Sequence, residues 1–260
     1  MIQRALRFLA DRLLPPVVVF VVFVLVWHGL VVWLEVPPLL VPTPARVWGA
    51  ALEHREALLR AMRLTGAAAL CGLALAIVVG SLTAFVFSQS VVIQRGFYPY
   101  AIFLQTVPVV AIAPLIILWF GQGFQSVVIV AFILSLFPII TNGTTGLTAI
   151  DRGHRELFAI HNATRWQVLV KLRIPNAVPY LVTGARISSG LSVIGAIVGE
   201  FFAGFSDRNR GLGYLIQLSH GQLRTAYLFA AILASTLLGL AIFALVTWIG
   251  NAIVARWREA

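Results

Sequence analysis

Six long apolar runs constrain the fold of this chain more than any other feature of its sequence. They cover residues 13–34, 64–87, 97–120, 126–147, 177–205 and 226–254. Each is long enough to cross about 30 Å of hydrocarbon, which takes roughly 20 helical residues. Inside lipid every backbone N–H and C=O must be bonded within the protein, and these runs lack the apolar/polar alternation of barrel strands. The sequence therefore predicts an all-α membrane protein with about six transmembrane helices.

Composition supports this prediction and determines how the net charge should be interpreted. Hydrophobic residues make up 60% of the chain and charged residues 11%, and the mean hydropathy is +0.95, which is outside the range of soluble domains. A net charge of +10 would suggest nucleic-acid binding in a soluble protein. Here nearly all the basic residues lie outside the apolar runs or near their ends, so the predicted partner is membrane lipid and not a nucleic acid.

The distribution of basic residues predicts the orientation. With a cytoplasmic N-terminus, the positions inside are 4, 7, 12, 95, 152, 155, 165, 171, 173, 256 and 258, and those outside are 46, 55, 60, 63, 208, 210 and 224. The positive-inside rule favours this arrangement, which places both termini in the cytoplasm and the chain in the cell (inner or plasma) membrane. The first run exceeds a typical signal-peptide core, so we expect it to remain as a helix.

The predicted organisation has three parts. Residues 1–63 form a transmembrane helix and an amphipathic helix on the outer face, residues 64–254 form a core of five spans, and residues 255–260 form a cytoplasmic tail. The amphipathic helix begins at Thr43, which can cap it, followed by Pro44 at the first helical position. An equally good interpretation makes this helix an extension of the second span.

A mixed stretch, "ELFAIHNATRWQVLVKLRIP" at residues 156–175, interrupts the apolar pattern between the fourth and fifth runs. Its periodicity predicts two short helices that meet at a corner at Asn162, with Pro175 ending or kinking the second. Trp166 and Leu169 are predicted to pack against the ends of the spans. Two short helices outside the membrane form a protrusion that a partner protein could grip.

This stretch resembles the cytoplasmic signature loop of ABC-importer permeases, described as E-A-A, three residues, G, nine residues and I-x-L-P. Glu156 stands at the acidic position, Asn162 at the glycine position, and "LRIP" closes the pattern. Leu157 and Phe158 replace the two alanines. Asn is one of the few residues other than glycine that adopts left-handed backbone readily, so the corner is expected to survive. "LVPTPARVW", "VPVVAIAPLIILWFG" and "GLGYLI" extend the resemblance over most of the chain.

The resemblance is to the permeases of nitrate, sulfonate, taurine and thiamine-precursor uptake. It implies a type I importer fold with a cytoplasmic coupling loop at about residues 151–175. It also implies a second permease copy, most simply a homodimer, two cytoplasmic ATPase subunits that hold ATP and Mg, and an external substrate-binding protein. The implied solute is a thiamine-precursor pyrimidine or related heterocycle, or else nitrate, a sulfonate or taurine. The loop residues implied to couple transport to ATP hydrolysis are Glu156, Ala159, Asn162, Ala163, Thr164, Arg165 and Pro175.

The chain itself is predicted not to be an enzyme. Its one lysine, Lys171, does not stand in the G-x-x-x-x-G-K-[ST] pattern that a P-loop requires. No His, Cys or carboxylate set has metal-ligand spacing, and no nucleophile signature is present. ATP hydrolysis is therefore expected on a separate subunit, and this chain is expected to bind no cofactor.

Polar side chains within the apolar runs are candidates for a translocation pathway, because their burial in lipid is costly. The candidates are Gln105, Thr106, Ser135, Ser188, Ser192 and Glu200. The competing interpretation is interhelical packing, which is favoured for the serines and threonines. A secondary transporter or channel is the alternative function, but no inverted repeat supports it.

Overall fold

The computed structural model describes residues 2–203 and 210–259, and within these ranges the chain forms helices and no strands. The helices are α1 (Ile2–Trp33), α2 (Pro44–Glu53), α3 (Arg55–Gln89), α4 (Val91–Thr106), α5 (Val109–Phe120), α6 (Phe124–Thr148), α7 (Arg152–Ile160), α8 (Arg165–Val168), α9 (Ile174–Ala203), α10 (Leu212–Gly221) and α11 (Thr225–Glu259). A π-helical segment, Leu169–Arg173, joins α8 to α9 without a break.

Five helical stretches in the described ranges are long and apolar enough to cross a membrane, namely Leu14–Trp33, Arg55–Gln89, Phe124–Thr148, Arg165–Ala203 and Thr225–Trp257. The apolar helix Val109–Phe120 is shorter. The predicted all-α membrane fold is therefore confirmed, with α7 and α8 between the fourth and fifth runs. The predicted end of the fifth run, at residue 205, lies outside the described residues.

The sequence predicts one continuous span over residues 97–120. In the structure this third apolar run is interrupted. Helix α4 ends at Thr106 and α5 begins at Val109. Pro108 has no N–H to donate and disfavours helical backbone at the residue before it, and Val107 is extended, with φ −69° and ψ 125°. The run therefore consists of two short helices with a break between them.

Both interpretations of the amphipathic segment are partly right. Residues from Pro44 form the separate helix α2, whereas residues from Arg55 onward extend the second span as the start of α3. The predicted starting point is confirmed, since Thr43 is extended and Pro44 is the first helical residue. The Thr43 side chain nevertheless makes no capping hydrogen bond.

The described residues form two compact units. The smaller contains residues up to 58 together with 216–233, and the larger contains the rest. In the smaller unit the ring of His54 lies 4.4 Å from that of Tyr227, and Thr225 donates a hydrogen bond to the carbonyl oxygen of Leu39 at 2.6 Å. These contacts hold the start of α11 to the segment around α2.

In the larger unit α6 packs against both α3 and α9. Glycines bring the helices close together on both sides of α6. A methyl group at Gly80 of α3 would lie 2.8 Å from Cβ of Ile139, and one at Gly195 of α9 would lie 2.7 Å from Cα of Ala131. Because α3, α6 and α9 approach to backbone contact, they form the rigid centre of this unit and position the loop between α6 and α9.

Candidate functional site

The corner of the loop has the geometry of a helix-terminating motif. Asn162 has a φ of +48°, in the left-handed region, as the sequence predicts for this position. Its N–H donates to the carbonyl oxygen of Ala159 at 3.0 Å, and that of Ala163 donates to Phe158 at 3.0 Å. This is the pattern of a Schellman motif, which ends α7 and turns the chain sharply.

The second half of the loop begins with a capping box. The Thr164 hydroxyl accepts from the N–H of Gln167 at 3.3 Å, and the Gln167 side chain accepts from the N–H of Thr164 at 2.8 Å. The T-x-x-Q pattern in the sequence is the local signal for this capping box. These reciprocal bonds fix the residue at which α8 begins.

Pro175 does not end the helix, contrary to one of the two predicted outcomes. The chain passes through the π-helical segment Leu169–Arg173, in which the N–H of Ile174 donates to the carbonyl of Leu169, and continues as α9. The wider turn accommodates the proline that follows. Single π-helical turns of this kind occur frequently at functional sites. Helical backbone therefore runs without interruption from Arg165, just after the loop corner, to Ala203.

Two side chains that the sequence analysis missed attach the loop to the spans. Asn176 donates to the carbonyl oxygens of Gly146 at 2.7 Å and Ala149 at 3.1 Å, at the end of α6. Arg173 donates to the carbonyl oxygen of Ser88 at 3.2 Å, at the end of α3, where a positive charge complements the helix dipole. No local sequence pattern reveals either bond, because each joins residues distant in sequence.

Glu156 lies on the exposed face of α7. Its carboxylate pairs with Arg152 at 3.1 Å, and the two side chains are 64% and 92% exposed. A pair this exposed contributes little to stability. Apart from this pair, no bond from the Glu156 carboxylate to the loop backbone is found among the described residues. Its predicted part in coupling remains a prediction.

The other predicted loop residues are mostly accessible. Ala159, Thr164 and Arg165 are exposed, whereas Ala163 and Pro175 are half-buried. Leu169 is buried, as predicted.

Large apolar side chains on the loop face outward. Trp166 is 70% exposed, so the prediction that it packs against the span ends is wrong. Ile160 is 76% exposed and Leu157 is 51% exposed. The loop therefore presents apolar surface on an otherwise polar protrusion.

The candidate pathway serines are buried and hydrogen-bonded within this chain. Ser135 and Ser188 are fully buried where α6 meets α9. The Ser188 hydroxyl donates to the carbonyl oxygen of Ser135 at 2.6 Å. The Ser135 hydroxyl donates to the carbonyl oxygen of Ala131 at 2.7 Å and lies 3.3 Å from the carbonyl oxygen of Ser188. Ser192 donates to Ser189 of its own helix at 2.9 Å. These bonds support the packing interpretation.

Gln105 and Thr106 are exposed at the end of α4, beside the break at Pro108. The Thr106 hydroxyl donates to the carbonyl of Phe103 at 2.9 Å. These two side chains and the buried serines thus occupy different environments.

Glu200 is 2% exposed, and both of its carboxylate oxygens accept hydrogen bonds. Its carboxylate accepts from the hydroxyl of Thr65, at 2.7 Å to Oε1 and 3.0 Å to Oε2, and from the N–H of Gly213 at 2.7 Å. The Thr65 hydroxyl in turn accepts from the N–H of Leu212 at 2.9 Å. Glu200 therefore joins α9 to α3 and to the first turn of α10. Among the described residues no group of His, Cys and carboxylate side chains is arranged to hold a metal ion.

Residues 76–259 match the family of binding-protein-dependent transport system inner membrane components. The formylaminopyrimidine transport permease protein ThiX of Halalkalibacterium halodurans is 34% identical over 95% of this chain and 96% of its own length. The riboflavin transport system permease protein RibX of Chloroflexus aurantiacus is 37% identical over 65% of this chain and 61% of its own length.

The fold is also similar to that of a chain in an inward-facing structure of the MetNI methionine ABC transporter. The TM-score is 0.62 at 18% identity, over 79% of this chain and 98% of the other.

The chain belongs to the family of binding-protein-dependent transport system inner membrane components. It is therefore a multi-pass membrane protein and a permease subunit of an ABC importer, with no catalytic role of its own.

Proposed function

We propose that this permease works as a dimer with two cytoplasmic ATPase subunits that bind the loop formed by α7 and α8. The observation that carries the proposal is the corner at Asn162, a rigid turn flanked by the exposed side chains of Ile160 and Trp166. Large apolar groups on an exposed protrusion are typical of a surface that another protein covers. ATP and Mg are held by the partner, and closure of the ATPases moves the loop.

The loop lies on the cytoplasmic side in this proposal, and both termini lie there too. The concentration of basic residues around the loop, including Arg152, Arg155 and Arg165, supports this orientation. With α4 and α5 counted together as one crossing, the chain crosses the membrane six times. The solute then reaches the opposite side on an external binding protein.

The proposed solute is a small nitrogen heterocycle of the thiamine-precursor pyrimidine type. Support comes from ThiX, which is named for formylaminopyrimidine and matches almost the whole chain, and from RibX, which is named for riboflavin. Nitrate and aliphatic sulfonates are the solutes in the names of relatives that match about half to three quarters of the chain.

Purification of the protein from its native membranes in mild detergent, followed by mass spectrometry, tests the assembly. We expect a P-loop ATPase and a binding protein to co-purify in stoichiometric amounts. Recovery of the chain alone, under conditions that keep a control ABC transporter intact, contradicts the proposal and favours a secondary transporter.

The co-purified binding protein then identifies the solute by thermal-shift titration. Formylaminopyrimidine, riboflavin, nitrate and an alkanesulfonate serve as probes. Stabilisation by formylaminopyrimidine is expected, and stabilisation by nitrate or the sulfonate alone contradicts the heterocycle assignment.

A further inference from the structure

The contact between Glu200 and the start of α10 is built as a specific junction. A buried carboxylate is costly unless donors surround it, and here a hydroxyl and a backbone N–H are both directed at it. Thr65 has a double function, because its hydroxyl donates to Glu200 and accepts from Leu212. One hydroxyl thus links three helices.

The backbone of α10 lies directly on α9 at this junction. A methyl group at Gly211 would overlap the Glu200 carboxylate, and one at Gly213 would overlap the carbonyl oxygen of Ile197 and lie 2.8 Å from Cβ of Glu200. Only residues without a side chain fit at these two positions. The hydrogen bonds and the close approach are independent observations that place the start of α10 at one position.

Two polar contacts, far apart along the chain, tie α3 to the continuous helix formed by the π-helical segment and α9. Near the loop, Arg173 donates to the carbonyl of Ser88 at the end of α3. Toward the other end, Glu200 of α9 accepts from Thr65 of α3. Between Pro175 and Glu200, α9 is about 38 Å long at 1.5 Å per residue. A displacement of α9 that begins at the loop therefore reaches the Thr65–Glu200 junction through continuous helix.

We propose that Glu200 is a positioning residue that, directly at Gly213 and through Thr65 at Leu212, locks the start of α10 to α3 and α9, so that movement of the loop displaces α10. This set of contacts, which we call the lock, transmits the conformational change of the ATPases to the side of the protein opposite the loop. There, α10 is placed to respond to a binding protein. This inference rests on the proposed function, because it needs ATPases at the loop and a binding protein on the opposite side.

The test uses the complete complex reconstituted in lipid, and Thr65→Val is the main variant. Valine keeps the shape of threonine and removes the hydroxyl, which leaves the Leu212 N–H and the carboxylate without that partner. Thr65→Ser restores the hydroxyl and is the rescue variant. Glu200→Gln is the second disruption. Ser189→Ala is the matched control, because Ser189 is equally buried and its hydroxyl donates only to Arg186 of its own helix.

Hydrolysis of ATP is measured with and without loaded binding protein, together with hydrogen exchange of the amides of Leu212 and Gly213. For Thr65→Val we expect hydrolysis without binding protein to be retained, the stimulated rate to fall about tenfold, as is typical of lost coupling between sites, and exchange to become faster. Glu200→Gln should behave in the same way, whereas Thr65→Ser and Ser189→Ala should match the wild type.

If loaded binding protein stimulates ATP hydrolysis normally in Thr65→Val although exchange at Leu212 and Gly213 becomes faster, the proposed lock is wrong. A proportional loss of both rates also overturns it, since that result indicates a purely structural role. If Thr65→Val and Glu200→Gln do not assemble, Glu200→Asp replaces them, because it retains the charge and shortens the reach, and its normal stimulation would again overturn the lock. Absence of stimulation in the wild type contradicts the proposed function instead.

Discussion

At Asn162 the backbone adopts a conformation that most side chains avoid. Its φ of +48° closes α7, and the N–H groups of Asn162 and Ala163 bond back to α7. Left-handed backbone costs roughly 1–2 kcal/mol for ordinary residues, but glycine adopts it freely and asparagine routinely as a single residue. The conformation of this one residue therefore determines the angle between α7 and α8.

We expect Asn162→Gly to preserve coupled transport and Asn162→Val to impair it. The branched side chain disfavours positive φ and destabilises the corner by about 1–2 kcal/mol. The measurement is ATP hydrolysis stimulated by binding protein in the reconstituted complex, with thermal unfolding of each variant as the control for folding. Equal stimulation of the glycine and valine variants would contradict a requirement for left-handed backbone here.

The polar residues of the loop and of the spans differ in how far the sequence predicts their contacts. Asn162 is predictable because its role is local, and a signature pattern with a known residue preference marks it. Arg173, Asn176 and Thr65 are not, since their partners lie 85, 30 and 135 positions away along the chain. A sequence gives the periodicity of each helix but not which carbonyl a side chain on another helix will reach.

Within the larger unit, α6 is the helix against which α3 and α9 both pack. Where α9 crosses it, Gly195 stands against the backbone of Val130 and Ala131. In a membrane, such contacts between small residues provide much of the association between helices, because lipid tails are as apolar as leucine. The separation of α6 and α9 therefore depends on the absence of a side chain at a few positions.

We expect Gly195→Ala to lower the unfolding temperature of the purified subunit. The added methyl group would lie 2.7 Å from Cα of Ala131 and 3.0 Å from the carbonyl oxygen of Val130, so the helices must separate, at a cost of about 1–3 kcal/mol. Gly190→Ala is the matched control in the same helix, where nothing lies within 4 Å of the new methyl group.

For the control we expect no loss and a gain of up to roughly 1 kcal/mol from helix propensity. Thermal unfolding in one detergent compares the two variants. Indistinguishable unfolding temperatures would show that α6 and α9 do not pack tightly at Gly195.

The positions of the helices were predictable and their irregularities were only partly so. Long apolar runs identify spans because lipid requires about the same length of helix from every protein. The interruption at Pro108 was signalled by the proline but hidden by the apolar residues on both sides. Pro175 predicts that the helix ends or kinks there, but it does not predict the π-helical turn that accommodates it.

At the scale of the whole molecule, the loop is the part that carries large apolar side chains on a polar protrusion. Trp166 is the largest of these and is 70% exposed. Buried aromatic side chains frequently dominate the binding energy of protein interfaces. The affinity of the permease for its ATPase is thus expected to depend strongly on this residue.

We expect Trp166→Ala to weaken binding of the ATPase by at least about 2 kcal/mol, or roughly thirtyfold. Binding is measured by titration of the purified ATPase onto the permease in lipid nanodiscs. Trp248→Ala is the matched control, since Trp248 is 72% exposed and lies on α11. Unchanged affinity of the Trp166 variant would place the ATPase contact elsewhere on the chain.

The interruption between α4 and α5 restricts what can surround it. The first amides of any helix have no partner within that helix, and Pro108, the cap of α5, makes no side-chain capping bond to them. Acyl chains offer nothing for such groups to bond to, so unwound backbone at membrane depth must border water or protein. Gln105 and Thr106, beside this break, are exposed on the surface of the single subunit. We therefore expect the break between the two half-helices to border water or protein and not acyl chains, and the ring of lipid to close around the molecule elsewhere.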